Sequence, residues 1–561
     1  MTNAAAQDRA WFRFYEPGVP RTIAYPRIAI PAFLDDSASR FPRHVATVFF
    51  GARLTYRTLE DLANRFAASL VRLGVKPLDR VSLHLPNSPQ FLIAYYGTLK
   101  AGAIVVPFNP LYVEREIEHQ LVDSGAEVAV TLDLMYPKIA AVRSGTRVRE
   151  IVVTAIHDFF PPVLRVLYPL KARREDQPVD VPAAADIHRL TKLLNAPAAA
   201  PAVSMDPDGT AVLLYTGGTT GVPKGAELTH RNLVCNTLQA RSWFTSFRPG
   251  EGTLLAVIPF FHSYGMTSAM NFCVSGGARL ILLPRFQTDM VFAAMKRYRP
   301  SMFPGVPTMY TAIINHPDAP RIDMRSIEAC ISGAMALPGE VQSRFEAMTG
   351  GRLVEGYGLT ETSPVTHINP IHGTRKAGSI GVPVPDTDAR IVDAEDPDRL
   401  LGIDEPGELT LRGPQVMRGY WKHPDETARV MRGEWLLTGD IAKMDADGFF
   451  YIVDRKKELI ISGGLNIFPR EVEEVLYLHP AVLEGAAIGV PDDYRGEAVK
   501  AFVVLKPGAQ ATAEDIIAHC GRHLARFKVP KTVEFRNQLP KSMVGKILRR
   551  VLSEEDRDRR N

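Results

Sequence analysis

Tyr215-Thr216-Gly217-Gly218-Thr219-Thr220-Gly221-Val222-Pro223-Lys224-Gly225 follows the apolar run 211–214 and precedes a stretch of helical spacing that begins near Thr229. The order reads as strand, phosphate loop and helix. Four glycines let the backbone turn tightly and bring N–H groups to an anion, three threonine hydroxyls add donors, and Lys224 adds a mobile positive charge. A polyphosphate is the natural ligand of that composition. Pro223 stands before Lys224 and Gly225 after it, so the stretch is not a Walker A motif and P-loop kinase chemistry is disfavoured. The plain alternative is a Gly/Thr turn between two elements.

Outward from this loop, helical stretches such as 59–73 alternate with short apolar runs at 81–85, 104–107, 128–131 and 151–154. That βαβ rhythm predicts a mainly parallel sheet covered by helices. An Ala/Pro segment at 196–202 is too poor in bulky residues to build a core and reads as a linker or surface loop. A second α/β stretch holds apolar runs at 254–259, 279–283 and 329–332. Beyond about Val382 short strands and turns crowd together, which predicts a small β-rich unit. The charged cluster Asp454-Arg455-Lys456-Lys457-Glu458 marks a domain boundary, with a solvated charged turn as its bland reading. Helical patterns return at 467–478 and 511–524.

A chain of 561 residues is too long for a single core and suggests about three or four core-sized units. With 46% hydrophobic and 23% charged residues it has the balance of a soluble globular enzyme, and a net charge of +4 is too small to argue for nucleic acid. Cys235, Cys273, Cys330 and Cys520 lie far apart without metal-ligand spacing, so they read as small buried hydrophobes in a reducing compartment. The first ten residues lack the order of a signal peptide, and no uncharged apolar run reaches membrane-spanning length. The expected location is the cytoplasm. Residues 159–174, Phe-Phe-Pro-Pro-Val-Leu-Arg-Val-Leu-Tyr-Pro-Leu-Lys-Ala-Arg-Arg, set aromatics and leucines beside a basic cluster. Such a segment suits peripheral contact with the inner face of a membrane, against the alternative of an insertion packed on its own protein.

Three further signatures carry chemistry. Gly356-Tyr357-Gly358-Leu359-Thr360-Glu361-Thr362 offers close backbone approach, a ring for a base to stack on, a hydroxyl for a phosphate, and a hard oxygen ligand for Mg²⁺. Thr438-Gly439-Asp440 offers a carboxylate to vicinal ribose hydroxyls. Lys546 stands in a glycine turn, Val544-Gly545-Lys546, ahead of the basic pair Arg549-Arg550. Taken singly, the Asp is a turn residue and the lysine a surface residue.

Together and in this order, the four signatures resemble the adenylate-forming superfamily of acyl-CoA synthetases, luciferases and peptide-synthetase adenylation domains, from about Leu54 to Arg550. Stretches 108–112, 259–267, 303–310 and 462–469 look most like bacterial long-chain fatty-acid–CoA ligases. The resemblance implies an α/β fold: a large amino-terminal, acyl-adenylating domain, 1–454, of two parallel α/β subdomains plus a small β-barrel-like subdomain. A small mobile α+β carboxy-terminal domain, 455–561, would follow, with a hinge near 454–457. It implies ATP, Mg²⁺ and coenzyme A as partners in making an acyl-CoA through acyl-AMP, with AMP and pyrophosphate released. The alternatives are a ligase for medium-chain or aromatic acids, an acyl-AMP ligase loading a carrier protein, and, from another class, an inactive nucleotide- and acyl-binding protein.

Residue by residue, the resemblance implies that Thr216 and Glu361 help hold Mg²⁺ and that Thr219, Thr220 and Lys224 contact the β- and γ-phosphates. Gly217, Gly218, Gly221, Gly356 and Gly358 belong to the same nucleotide loops, with Tyr357 stacked on adenine and Thr360 at a phosphate. Gly333 and Ala334 would wall the nucleotide, and Asp440 with Arg455 would hold the ribose. Lys546 would be the catalytic cation of adenylation. His262 and Gly305 would line the acyl pocket, Gly463 and Gly464 the pantetheine channel, and Lys457 would be the hinge residue. No homodimer signature is readable, and the oligomeric state stays open.

Overall fold

The computed structural model describes residues 9–174, 181–195, 201–216, 223–456, 458–462, 465–492, 495–542 and 545–560. Contacts divide the chain into two compact units. The larger joins residues 12–388 to 412–434, and the smaller joins residues 389–411 to the chain from Trp435 onward, with Trp11 from the amino-terminal segment.

Two main layers of sheet build the larger unit among the described residues. Eight strands lie in the order Gly419–Tyr420, Lys224–Thr229, Thr210–Thr216, Ile104–Pro107, Arg80–His84, Val128–Leu132, Glu150–Thr154, Ile187–Arg189. From Thr210–Thr216 outward the pairings are parallel, whereas the two strands at the other edge run antiparallel. The apolar runs are therefore strands, buried on both faces as parallel strands must be. A second, mostly parallel layer runs through Val45–Phe49, Arg279–Leu282 and Thr253–Ala256, and a bridge at Met302 continues it to Ala329–Ser332 and Arg352–Gly358.

Helix Pro89–Lys100 is buried along its whole length, as an all-round apolar sequence requires. Ser88 caps it and Pro89 opens it. Its buried last residue, Lys100, is paired with Asp35 and donates to Asn64 at 2.6 Å. Just before the helix, buried Asn87 donates to the carbonyls of Ala256 and Ile258 and accepts from the Phe260 amide at 2.8 Å. One amide thus binds the first sheet's connection to the second sheet.

The smaller unit opens with antiparallel strands Gly407–Arg412, Trp435–Met444 and Phe450–Arg455. Beyond them Val482–Asp492 and Gly496–Leu505 form a long hairpin, with Thr532–Phe535 parallel to its second strand. Helices Pro469–Tyr477 and Ala513–His523 share one apolar cluster, and Leu552 of helix Arg549–Arg560 belongs to another. All four cysteines are buried, and burial pushes the Cys235 thiol up to about 12 and that of Cys520 to about 11. Among the described residues no helix is long and apolar enough to cross a membrane.

Candidate active site

The glycine-rich loop connects differently from the strand–loop–helix reading. Thr210–Thr216 pairs antiparallel with Lys224–Thr229, Thr216 opposite Lys224, and helix His230–Trp243 starts only afterwards, capped by Thr229. The alternation in 224–229 is masked in the sequence by glycine and proline just before it. A helix N-terminus therefore does not follow the loop directly, and anion binding here rests on Lys224 and on backbone and hydroxyl donors. Gly217, Gly218, Thr219, Thr220 and Gly221 lie outside the described residues.

Lys224 is buried and paired with Glu426, and its ammonium stands 5.6 Å from the centre of the Tyr420 ring. The Tyr420 hydroxyl donates to the Glu361 carboxylate at 2.8 Å. Two of the charged residues singled out in the sequence, Lys224 and Glu361, thus meet on one tyrosine.

Gly356, Tyr357 and Gly358 end the strand Arg352–Gly358, and Thr360 and Glu361 sit in the short helix that follows. The Leu359 amide donates to the Pro364 carbonyl at 3.1 Å and to the Thr362 hydroxyl at 3.0 Å. A Cβ on Gly358 would lie 1.9 Å from the Pro364 oxygen, so only glycine closes this turn. Tyr357 is opposite His367 on the neighbouring strand, ring centres 6.0 Å apart and edge to face.

Gly305, Gly333 and Tyr264 come together. The Gly333 amide donates to the Gly305 carbonyl at 3.2 Å, and the Tyr264 hydroxyl donates to the Ile331 carbonyl at 2.7 Å. A Cβ on Gly333 would press on the Tyr264 ring at 3.1 Å, and one on Gly305 would meet the Tyr310 ring at 2.8 Å. Ala334 is exposed with φ +67°, a left-handed backbone that turns the chain after Ser332. His262 caps the short helix beside this wall, its Nδ1 accepting from the Tyr264 amide at 3.2 Å.

In the smaller unit the charged run begins inside a strand: Asp454 and Arg455 end Phe450–Arg455 and are not part of a solvated turn. Asp440 and Arg455 are opposite each other on adjacent strands and form an ion pair at 2.8 Å, with the Asp440 side chain only 3% exposed. Asp454 is also buried, and burial pushes its carboxyl up to about 6 against the pull of Arg549 and two backbone amides. Lys546 lies in a hairpin closed by Ser542, whose amide donates to the Lys546 carbonyl at 2.8 Å. Burial pushes the Lys546 ammonium down to about 8, the Arg455 charge adds to the shift, and Asp440 and Glu458 oppose it. Asp440, Arg455 and Lys546 are therefore neighbours. Lys457, Gly463 and Gly464 lie outside the described residues.

Sequence reading missed the groups that brace these residues. Asn232, Asn236 and Gln239 share one face of helix His230–Trp243. Asn236 holds both backbone groups of Val365, Asn232 holds the Pro414 and Val416 carbonyls, and Gln239 holds the Pro385 carbonyl. Their spacing of four and three residues was the available signal. Arg549 grips Glu473 with two donors, at 2.9 and 2.6 Å, and also pairs with Glu458. Tyr420 and Glu426 left no sequence signal, because nothing local marks a residue whose partner is some two hundred positions away.

Residues 34–421 match the family described as AMP-binding enzyme, and residues 471–546 match the AMP-binding enzyme C-terminal domain. A long-chain-fatty-acid–CoA ligase of Bacillus subtilis (strain 168) is 46% identical over 558 residues, 98% of each chain. The crystal structure of ATP-bound MatB from Rhodopseudomonas palustris is similar with a TM-score of 0.81 at 29% identity, over 94% of this chain and 99% of that one. A Mycobacterium tuberculosis fatty acyl CoA synthetase is similar at 0.70 and 30% identity, over 94% of this chain and 98% of that one. With its two-part α/β fold, its glycine-rich strand connection and its paired clusters of charged residues, the chain belongs to the AMP-binding enzyme family.

Proposed function

We propose that the protein is an ATP- and Mg²⁺-dependent acid–thiol ligase that converts a long-chain fatty acid to its acyl-CoA. A carboxylate oxygen attacks the α-phosphorus of ATP and the bond to pyrophosphate breaks. The CoA thiol then attacks the acyl carbon of the acyl-AMP, the carbon–oxygen bond breaks, and AMP leaves with its electron pair. The observation that carries the reading is the Asp440–Arg455 ion pair, with Lys546 close enough to feel both charges, in a chain similar over 98% of its length to a ligase of this kind.

A carboxylate approaching a polyphosphate meets like charge, so fixed cations at the phosphates do most of the catalytic work. Lys546 supplies one at the α-phosphate. Lys224 takes the β- and γ-phosphates with Thr219 and Thr220, Tyr357 stacks on adenine, and Asp440 and Arg455 hold the ribose. Glu361, at the tip of a pinned turn, has the hard oxygen that suits Mg²⁺, and Thr216 would share it. Bound there, Mg²⁺ would neutralise phosphate charge. His262, Gly305, Gly333 and Ala334 form the wall beside the acyl group. Rotation of the carboxy-terminal domain about residues 454–457, with Lys457 as hinge, then brings Gly463 and Gly464 to the pantetheine.

The test is AMP release by the purified protein with ATP and Mg²⁺ over short-chain, medium-chain, long-chain and aromatic acids, with and without CoA. CoA-dependent release that peaks on long chains is expected. A peak elsewhere changes the substrate, pyrophosphate without CoA-dependent AMP points to an acyl-AMP ligase, and ATP binding without turnover points to a binding protein.

We also propose that helix Pro162–Arg174 rests on an anionic lipid surface. Val163 and Val166 are each 69% exposed, and Leu164 and Leu167 are also exposed. Phe160 packs against both Phe50 and Tyr168, which mounts this apolar face firmly. Residues 159–174 hold four basic side chains and no acidic one. Co-sedimentation with phosphatidylglycerol vesicles should be lost when 159–174 are deleted, and unchanged binding would refute the contact.

A further inference from the structure

Strand Gly419–Tyr420 and helix Pro424–Val430 form one short, self-braced segment along the edge strand Lys224–Thr229. The Tyr420 amide donates to the Thr427 hydroxyl at 2.8 Å, and that hydroxyl donates to the His423 carbonyl at 3.0 Å. From this segment Glu426 reaches back to Lys224, with the two side chains 21% and 11% exposed. Its other carboxylate oxygen receives Arg429 from the next turn of the same helix.

A lysine so withdrawn from water needs a counter-charge at all times. Without nucleotide, that charge comes from Glu426. A polyphosphate at the same ammonium brings more negative charge than one carboxylate, so it wins the exchange, whereas a small anion of low charge does not. On displacement Glu426 still has Arg429, so its carboxylate is not left bare beside the incoming phosphates. Tyr420 ties the exchange to Glu361, since its ring lies under Lys224 while its hydroxyl binds the Glu361 carboxylate.

We propose that Glu426 is a built-in counter-anion of Lys224 that ATP must displace, so that this glutamate sets the affinity for ATP and its selectivity over smaller anions. The inference rests on the reading of Lys224 as a polyphosphate contact. It makes Glu426 a residue that acts through Lys224 and not on the reacting atoms.

The experiment is calorimetric titration of the full-length protein with ATP, and separately with inorganic phosphate, alongside steady-state AMP release. Glu426→Gln should tighten ATP about two- to fivefold, the modest net gain left when one counter-anion is exchanged for another, with the change in KM for ATP rather than in kcat. Inorganic phosphate should become a measurable competitor. Glu426→Asp, which keeps the charge but shortens its reach, should fall between wild type and Glu426→Gln and serves if the latter folds poorly. A glutamate of merely structural value would lower stability or kcat without tightening ATP. Unchanged or weaker ATP binding in folded variants overturns the counter-anion. Failure of the folded wild type to bind ATP at all overturns it together with the nucleotide reading.

Discussion

In the role proposed for it, Lys546 concentrates the chemistry into one titrating group. Because burial and Arg455 bring its ammonium down to about 8, the cation proposed to serve adenylation is present below that pH and is lost as pH rises through it. Acyl-AMP formation, followed as pyrophosphate release, should fall along an alkaline limb near pH 8, and Lys546→Arg should move that limb out of range because guanidinium stays charged. Lys546→Ala should cut adenylation by about 10²- to 10³-fold, the scale of losing one preorganised electrostatic group, yet spare thioester formation from supplied acyl-AMP. Equal loss in both half-reactions would reject the role. The charge of Lys546 was readable from its motif, but its lowered pKa was not, since that comes from burial and from Arg455, on a strand about ninety residues earlier.

At the scale of elements, the turn after strand Arg352–Gly358 and the amide face of helix His230–Trp243 decide how firmly the residues proposed to bind the nucleotide are held. Gly358→Ala drives a methyl against the Pro364 oxygen, so the turn must open, and KM for ATP should rise at least about tenfold with the protein still folded. Asn236→Ala leaves a buried amide and a buried carbonyl of Val365 without partners and should cost about 3 kcal/mol in urea unfolding. The parallel strands at 80–84, 104–107, 128–132 and 150–154 were legible because strands buried on both faces must be continuous apolar runs. Lys224–Thr229 was not, since its glycine and charges obscure any alternation, and a chain entering a helix at Thr229 reads the same with or without a strand before it. Likewise the run from Asp454 was legible as a domain boundary but the burial of Asp454 was not, because that depends on Arg470 and Arg549, which sequence proximity does not reveal.

Across the whole molecule, stability should carry the mark of that buried acid. The folded state holds the Asp454 carboxyl at about 6 against an ordinary value of 3.8, so it binds more protons than the unfolded chain between those limits. The contribution of Asp454 is therefore full at low pH and is lost as pH rises through about 6, by about 2–3 kcal/mol. Measured as the difference in unfolding free energy between wild type and Asp454→Asn, the gap should shift toward the variant between pH 4 and 7, and a flat difference would reject it. The division into two units has a further consequence, one for synthesis. The larger unit takes back residues 412–434 only after the chain has made an excursion into the smaller one at 389–411. A growing polypeptide that stops at residue 388 thus leaves the ribosome with the Lys224–Thr229 strand open along one edge, and such an edge invites pairing with other chains. Ribosome-stalled fragments ending before residue 419 should stay protease-sensitive and aggregate on release, and fragments ending past 434 should not.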